Sequence, residues 1–166
     1  VVKGDFNLAL IGPLPQDEKK IQRKALFTEN VVALLPINHR LANKKSIKLL
    51  ELVDEPFVLL PKGFVFRDMV VNACQNLGFK PNVAFEGDDI DALKGLVSAG
   101  LGVTLMPEVT LVDSLPRSTV KIPLAEPNVT STVGGITPKD RVLLPTEKLF
   151  YEFLIEFFAR LDEFKN

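Results

Sequence analysis

Cysteine, histidine and tryptophan are scarce in this sequence, and their scarcity excludes several kinds of site. The 166 residues include one cysteine, one histidine and no tryptophan. A single cysteine can form neither an internal disulfide nor a multi-cysteine zinc site, and His39 has no second histidine with which to complete a metal site, so we predict that the chain holds no metal. A lone reduced thiol fits the cytoplasm, which is where we expect the protein to reside.

The sequence also lacks long apolar runs and a net charge of either sign. No run approaches the roughly 20 apolar residues of a membrane-spanning helix, and no export signal opens the chain. Twenty basic and 21 acidic side chains give a net charge of −1, so nothing attracts the whole chain to nucleic acid or to an anionic membrane. We expect no membrane contact. Because the chain starts at Val1 rather than methionine, we expect a fragment whose missing part makes any DNA contact.

Short runs of Val, Leu and Ile alternate with segments of helical period, and this pattern is typical of an α/β domain. With 46% hydrophobic residues, the chain can bury a core. Nearly continuous apolar runs favour strands that are covered on both faces. The predicted strands are residues 6–11, 31–35, 56–60, 82–86, 102–106 and 133–136.

Three amphipathic helices are predicted from apolar residues at three- and four-residue spacing. The first covers residues 64–77, and the second begins at Asp88 or Asp89, either of which can cap it, and stops at Gly100. The third covers residues 145–164. Its broad apolar stripe predicts a helix that closes its own core, with an oligomer contact as the alternative; the stripe is Leu149, Phe150, Phe153, Leu154, Phe157, Phe158 and Leu161.

No set of residues predicts catalysis. His39 lies in a polar loop, where we expect it to be solvated, and Cys74 lies on the apolar side of its helix, where a buried structural thiol is expected. The acidic residues 86–91 lack the ligand spacing of a calcium loop. Gly63 and residues 100–102 do not form a dinucleotide fingerprint. We therefore predict no enzyme and no cofactor.

One segment predicts a binding site instead. Residues 56–60 run through Gly63 into a helix, whose first backbone amides lie unpaired at the carboxyl end of a strand. Such amides favour an anion. Arg67 can bind a carboxylate, with an exposed ion pair as the equal alternative. Phe64 and Val65 are predicted to line the site, whereas Phe66 fits the helix core better.

Several motifs, in their order and spacing, resemble the effector-binding domain of LysR-type transcriptional regulators. Residues 3–10, KGDFNLAL, are similar to the family's glycine-x-leucine-aspartate-leucine-alanine strand entry, and residues 39–42, HRLA, are similar to its histidine-proline-leucine-alanine loop. Residues 46–60 resemble the short helix and strand that open the second subdomain. The most specific match is residues 96–107, LVSAGLGVTLMP, which are similar to a glycine-rich family signature.

This resemblance implies a two-lobed α/β fold of the periplasmic-binding-protein type II, with the N-terminal part of lobe one missing. Subdomain I would comprise residues 1–28 and 135–166, and subdomain II residues 29–134. A small, anionic effector would bind in the cleft between them. The chain would work as a homodimer or homotetramer, and it would reach DNA only through a winged helix-turn-helix that precedes it.

The predicted effector-binding residues combine the resemblance with the helix geometry. They are Gly12, Pro13, Gly63, Phe64, Val65, Phe66, Arg67 and Glu86. In peroxide-sensing members of the family the two reactive cysteines would fall at Val65 and Cys74, so this chain keeps only the partner position. The resemblance therefore implies reversible ligand binding rather than a disulfide switch.

Two other classes of protein compete with the sensor. A solute-binding protein of a transport system would share the two-lobed layout, and upstream sequence would distinguish the two: a winged helix indicates a regulator, a signal peptide a receptor. An enzyme is disfavoured because no acid, base and nucleophile converge on the predicted site.

Overall fold

A computed structural model describes residues 1, 3–15 and 19–163 of the chain. These residues divide into two compact units. One consists of Val1–Glu29 and Ser131–Asn166, and the other of Asn30–Thr130. Strands β2 (Ile21–Pro36) and β8 (Thr130–Pro138) carry the chain from one unit to the other.

The first unit is a small sheet packed against a long helix. Strand β1 (Ala9–Ile11) pairs antiparallel with β8, and β8 lies beside the N-terminal half of β2. Helix α3 (Pro145–Glu163) packs on this sheet, where the Phe158 ring stacks on Phe27 at a centroid distance of 4.9 Å. A Cβ at Gly135 would come within 2.7 Å of a ring carbon of Tyr151. The absence of a side chain on β8 therefore lets α3 approach closely.

The second unit contains the larger core. In this unit the C-terminal half of β2 lies between β6 (Thr104–Pro107) and β7 (Thr119–Glu126), and both are antiparallel to β2. Strand β3 (Ile47–Lys48) pairs with β7 in parallel. The parallel pair β4 (Pro56–Leu59) and β5 (Asn82–Glu86) forms a separate sheet. Helices α1 (Val65–Asn76) and α2 (Ile90–Ser98) complete the unit. Its largest fully buried side chains include Leu34, Phe57, Leu93, Leu105, Met106 and Ile122.

The three predicted helices are confirmed, and local chemistry accounts for the second one. The side chain of Asp89 accepts a hydrogen bond from the Ala92 amide at 2.7 Å, which caps α2 as predicted. Gly100 follows α2 with φ = 76°, a left-handed conformation that favours glycine. The prediction for the third helix extended to Phe164, which lies outside the described residues.

The strand predictions are confirmed in position but not in number or environment. The structure adds β3, β7 and the N-terminal half of β2, which the apolar runs did not predict, although residues 26–35 resemble a crossover strand of the LysR-type domains. Most of β5 is exposed, so the expectation of cover on both faces is wrong for this strand. Within the described residues, β5 pairs with β4 alone, and an edge strand of this kind keeps one side open.

The broad stripe of α3 separates into two faces. The packed face is half-buried and consists of Tyr151, Leu154, Ile155 and Phe158. The other face is exposed and consists of Leu149, Phe150, Phe153 and Phe157, whose three rings stack along the helix. The helix therefore closes the core of its own unit, as predicted, but of the predicted stripe only Leu154 and Phe158 are seen to pack, and the side chain of Leu161 lies outside the described part of the chain.

Candidate functional site

The N-terminus of α1 has the geometry that the sequence predicted for an anion site. Strand β4 ends at Leu59, and the chain then turns through Gly63, whose φ of 99° favours glycine. Phe64 is the N-cap residue, and its extended backbone is followed by a helix with no side-chain cap. The first amides of α1, from Val65 onward, therefore have no partner within the helix. These amides and the helix dipole present partial positive charge to a ligand.

The side chains around this turn differ in exposure. Phe64 is 45% exposed and Val65 is 40% exposed, so both are accessible to a ligand. Phe66 is buried in the hydrophobic core of the second unit. Of the two phenylalanines, the structure thus assigns the core role to Phe66, as the helical period predicted.

Arg67 is held by the protein itself. Its Nη1 atom donates to the Leu60 carbonyl oxygen and to Glu86 Oε1, each at 2.5 Å. The Arg67 side chain is 9% exposed and that of Glu86 is 46% exposed. Arg67 thus forms an ion pair, one of the two roles considered for it, but its own side chain is buried rather than exposed. The contact ties the carboxyl ends of β4 and β5 to the first turn of α1.

Gly12 and Pro13 belong to the first unit. They follow β1 and are joined by a cis peptide bond. A Cβ at Gly12 would lie 2.8 Å from Cγ2 of Val133, so a larger residue would displace that side chain. The remaining predicted site residues, from Gly63 to Glu86, all belong to the second unit.

The residues dismissed as catalytic have structural roles. His39 is not the solvated residue that we expected, because its side chain is only 11% exposed and its Nε2 atom lies 3.1 Å from Glu55 Oε2. Burial raises the pKa of the Cys74 thiol to about 12, so at neutral pH it is a protonated and weakly reactive group. Within the described part of the chain, no group of three or more His, Cys, Asp or Glu side chains could hold a metal ion.

A surface cavity on the second unit was not anticipated from the sequence. Its volume is about 320 Å³, and it is lined by Lys62, Arg67, Asp68, Val71, Lys80, Pro81 and Val83. No local pattern predicts it, because the lining residues come from the turn before α1, from the first two turns of α1, and from the loop and strand that follow the helix. Only Arg67 is shared with the predicted effector site.

Comparison with known proteins relates the chain to a described family. The family model described as LysR substrate binding domain matches residues 1–159. The chain is 51% identical over 161 residues to the transcriptional dual regulator GltC of Bacillus subtilis (strain 168), covering 97% of this chain and 54% of that protein. It thus spans about half the length of this curated relative.

Solved structures show the same fold. The effector binding domain of QuiR in complex with shikimate superposes with a TM-score of 0.87 at 21% identity, over 96% of this chain and 75% of that chain. The BenM effector binding domain with its effector benzoate superposes with a TM-score of 0.78 at 22% identity, over 99% of this chain and 72% of that chain. The predicted α/β fold of the periplasmic-binding-protein type II is confirmed. None of the described helices combines the length and the apolar character that a membrane span requires.

Proposed function

Because the chain belongs to the LysR family through its substrate-binding domain, we propose that it is the effector-sensing part of a transcription factor and binds a small anionic metabolite. The observation that carries this proposal is the uncapped N-terminus of α1 after Gly63. Its free amides attract an anion, and Phe64 and Val65 offer exposed apolar surface beside them.

The ligands named for two structural relatives support an anionic effector. Shikimate and benzoate both carry a carboxylate, and each is bound by a domain with this fold. Binding would control transcription if the ligand favours one arrangement of the protein over another. No step of this function requires a catalytic group, and the regulator GltC, at 51% identity, favours a regulator over a transport receptor or an enzyme.

The two units, in this proposal, are the two lobes of the sensor, and Gly12 and Pro13 supply the effector site from the first lobe. Gly63, Phe64, Val65 and Glu86 supply it from the second. Arg67 acts indirectly, because its guanidinium fixes the Leu60 carbonyl and Glu86 behind the turn. Phe66 anchors the same turn in the core.

The wider assembly is also a proposal. We propose a cytoplasmic homodimer or homotetramer that contacts DNA through a winged helix-turn-helix outside this sequence. The net charge of −1 agrees with this division, because the basic surface for DNA would lie elsewhere. Sedimentation of the whole regulator with and without its operator DNA would test this assembly. A regulator that stays monomeric and still binds the operator DNA would contradict it.

A substitution at Val65 tests the effector site. Calorimetric titration with a panel of carboxylates, amino acids and sugar phosphates should identify a ligand that saturates the native chain. Val65→Asp should then weaken binding of this ligand about tenfold, because the new carboxylate repels an anion. The effect should not be larger, because Val65 is 40% exposed and water screens the repulsion.

The matched control for this experiment is Val112→Asp, which introduces the same charge at another exposed valine of the second unit. It should leave the affinity within about twofold, as is usual for an exposed charge remote from the ligand. Equal affinity in native protein and Val65→Asp would contradict the site assignment. Saturable binding of neutral ligands alone would contradict an anionic effector.

A further inference from the structure

The cavity of about 320 Å³ on the second unit shares only Arg67 with the predicted effector site. It is bounded by Asp68 and Val71 on α1, by Lys80 and Pro81 in the loop before β5, and by Val83 in β5. Neither Gly63, Phe64 nor Val65 lines it. Its volume is at the lower end of the roughly 300–1,000 Å³ that is usual for ligand sites, which selects a small molecule.

The charges around the cavity favour an anion. Lys62 and Lys80 are exposed, and among the described residues neither ammonium group has a hydrogen-bond or ion-pair partner. Asp68 is the only acidic residue of the lining. Arg67 is neutralised by Glu86, which leaves two unpaired ammonium groups against one carboxylate. The local potential is therefore positive although the whole chain has a net charge of −1.

The wall of the cavity favours a ligand with an apolar part. Val71 and Val83 are half-buried and Pro81 is buried, so these side chains form an apolar wall. An apolar group of a ligand that packs against this wall is removed from water. A purely inorganic anion would leave this wall exposed. A carboxylate with a compact hydrocarbon group uses both the lysines and the wall.

We propose that this cavity binds a small carboxylate with an apolar group, as a second ligand site that goes beyond the proposed effector site. The carboxylate faces the ammonium groups of Lys62 and Lys80, and the hydrocarbon group packs on Val71, Pro81 and Val83. Two of the lining residues reach the turn before α1. Lys62 precedes Gly63 in the chain, and Arg67 holds the Leu60 carbonyl oxygen, so occupancy of the cavity acts on the turn that carries the effector site.

Benzoate is a suitable probe because it is a compact aromatic carboxylate, and benzamide is its neutral counterpart. Titration of the isotope-labelled chain, followed by NMR, should give saturable shifts at the amides of Val71 and Val83 with benzoate but not with benzamide. Lys62→Glu and Lys80→Glu should each raise the benzoate dissociation constant about fivefold, the effect of one partly exposed charge pair.

Two further variants separate this site from general charge and from the effector site. Lys45→Glu makes the same change at an exposed lysine outside the cavity, and it should leave the dissociation constant within about twofold. Val65→Asp should retain saturable shifts at Val71 and Val83, because Val65 does not line the cavity. If benzoate does not saturate these shifts, or if benzamide produces them equally, the cavity proposal is wrong. If Val65→Asp removes the shifts and Lys80→Glu does not, benzoate occupies the effector site, so the cavity proposal fails while the proposed function stands.

Discussion

Replacing Gly102 with alanine should lower the free energy of unfolding by about 3 kcal/mol, because no space exists for an added methyl group. A Cβ built at Gly102 lies 2.5 Å from the Pro56 carbonyl oxygen and 3.0 Å from Cγ2 of Val58. The first of these is a backbone atom of β4 and cannot turn aside as the end of a side chain can.

The backbone around Gly102 is also fixed by hydrogen bonds. The Val103 amide donates to the same Pro56 oxygen at 2.8 Å, and the Val58 amide donates to the Val103 oxygen at 2.8 Å. These bonds form a parallel bridge between β4 and the segment before β6. Relief of the clash requires that the bridge move, at the centre of a core that includes the fully buried Phe57. The cost therefore includes strain as well as a weakened hydrogen bond.

Gly95→Ala is the matched control for Gly102→Ala. Gly95 lies within α2, and a Cβ there meets no atom within 4 Å. Alanine should therefore stabilise the protein by about 0.5–1 kcal/mol, since it reduces the backbone entropy of the unfolded chain. Urea unfolding, followed by circular dichroism, measures both variants. A loss for Gly102→Ala no larger than about 0.5 kcal/mol would show that the contact is relaxed at little cost.

The glycines explain why residues 96–107 formed the most specific motif of the sequence. Gly100 has a left-handed backbone after α2, and Gly102 allows the close approach to Pro56. Both requirements are steric and only glycine meets them, so the two positions leave a recognisable pattern although the contact with Pro56 is distant in the sequence. The periodic helices were predictable for a local reason, since their spacing, the cap at Asp89 and the glycine stop all lie within a few residues.

The strand segments that the apolar runs did not predict contain residues that disfavour a strand. Residues 119–126 contain Lys121, Pro123 and Glu126, which disfavour a strand in a sequence-based prediction. Residues 21–30 are largely polar, and most of them are exposed in β2. Tertiary pairing with strands distant in the sequence determines both segments, and no local period reports such pairing.

The candidate site was predictable only in its local part. The turn at Gly63 and the exposed Phe64 and Val65 follow from a strand that runs into a helix. The pairing of Arg67 with Glu86 joins residues 19 positions apart, and its burial depends on how α1 packs against β5. The cavity beside it depends on Lys62 and Lys80, which approach one another only in the folded chain.

The second large effect is expected at this ion pair. Arg67→Met should lower the free energy of unfolding by about 2–3 kcal/mol, since it removes the donor to the Leu60 carbonyl oxygen and leaves Glu86 without its partner. The loss should stay below the roughly 3–5 kcal/mol typical of a fully buried pair, because Glu86 is 46% exposed and regains water. Methionine retains most of the side-chain volume, so a cavity contributes little.

Glu86→Gln separates the two contacts of Arg67. Glutamine keeps an oxygen acceptor but no charge, so this variant should lose only about 0.5–1 kcal/mol. In the double variant Arg67→Met with Glu86→Gln, the loss should be smaller than the sum of the single losses by about 1 kcal/mol, because the partners interact directly. Urea unfolding of all four proteins gives this difference. Strictly additive losses would show that the ion pair contributes nothing and that the Leu60 carbonyl is the contact through which Arg67 stabilises the turn before α1.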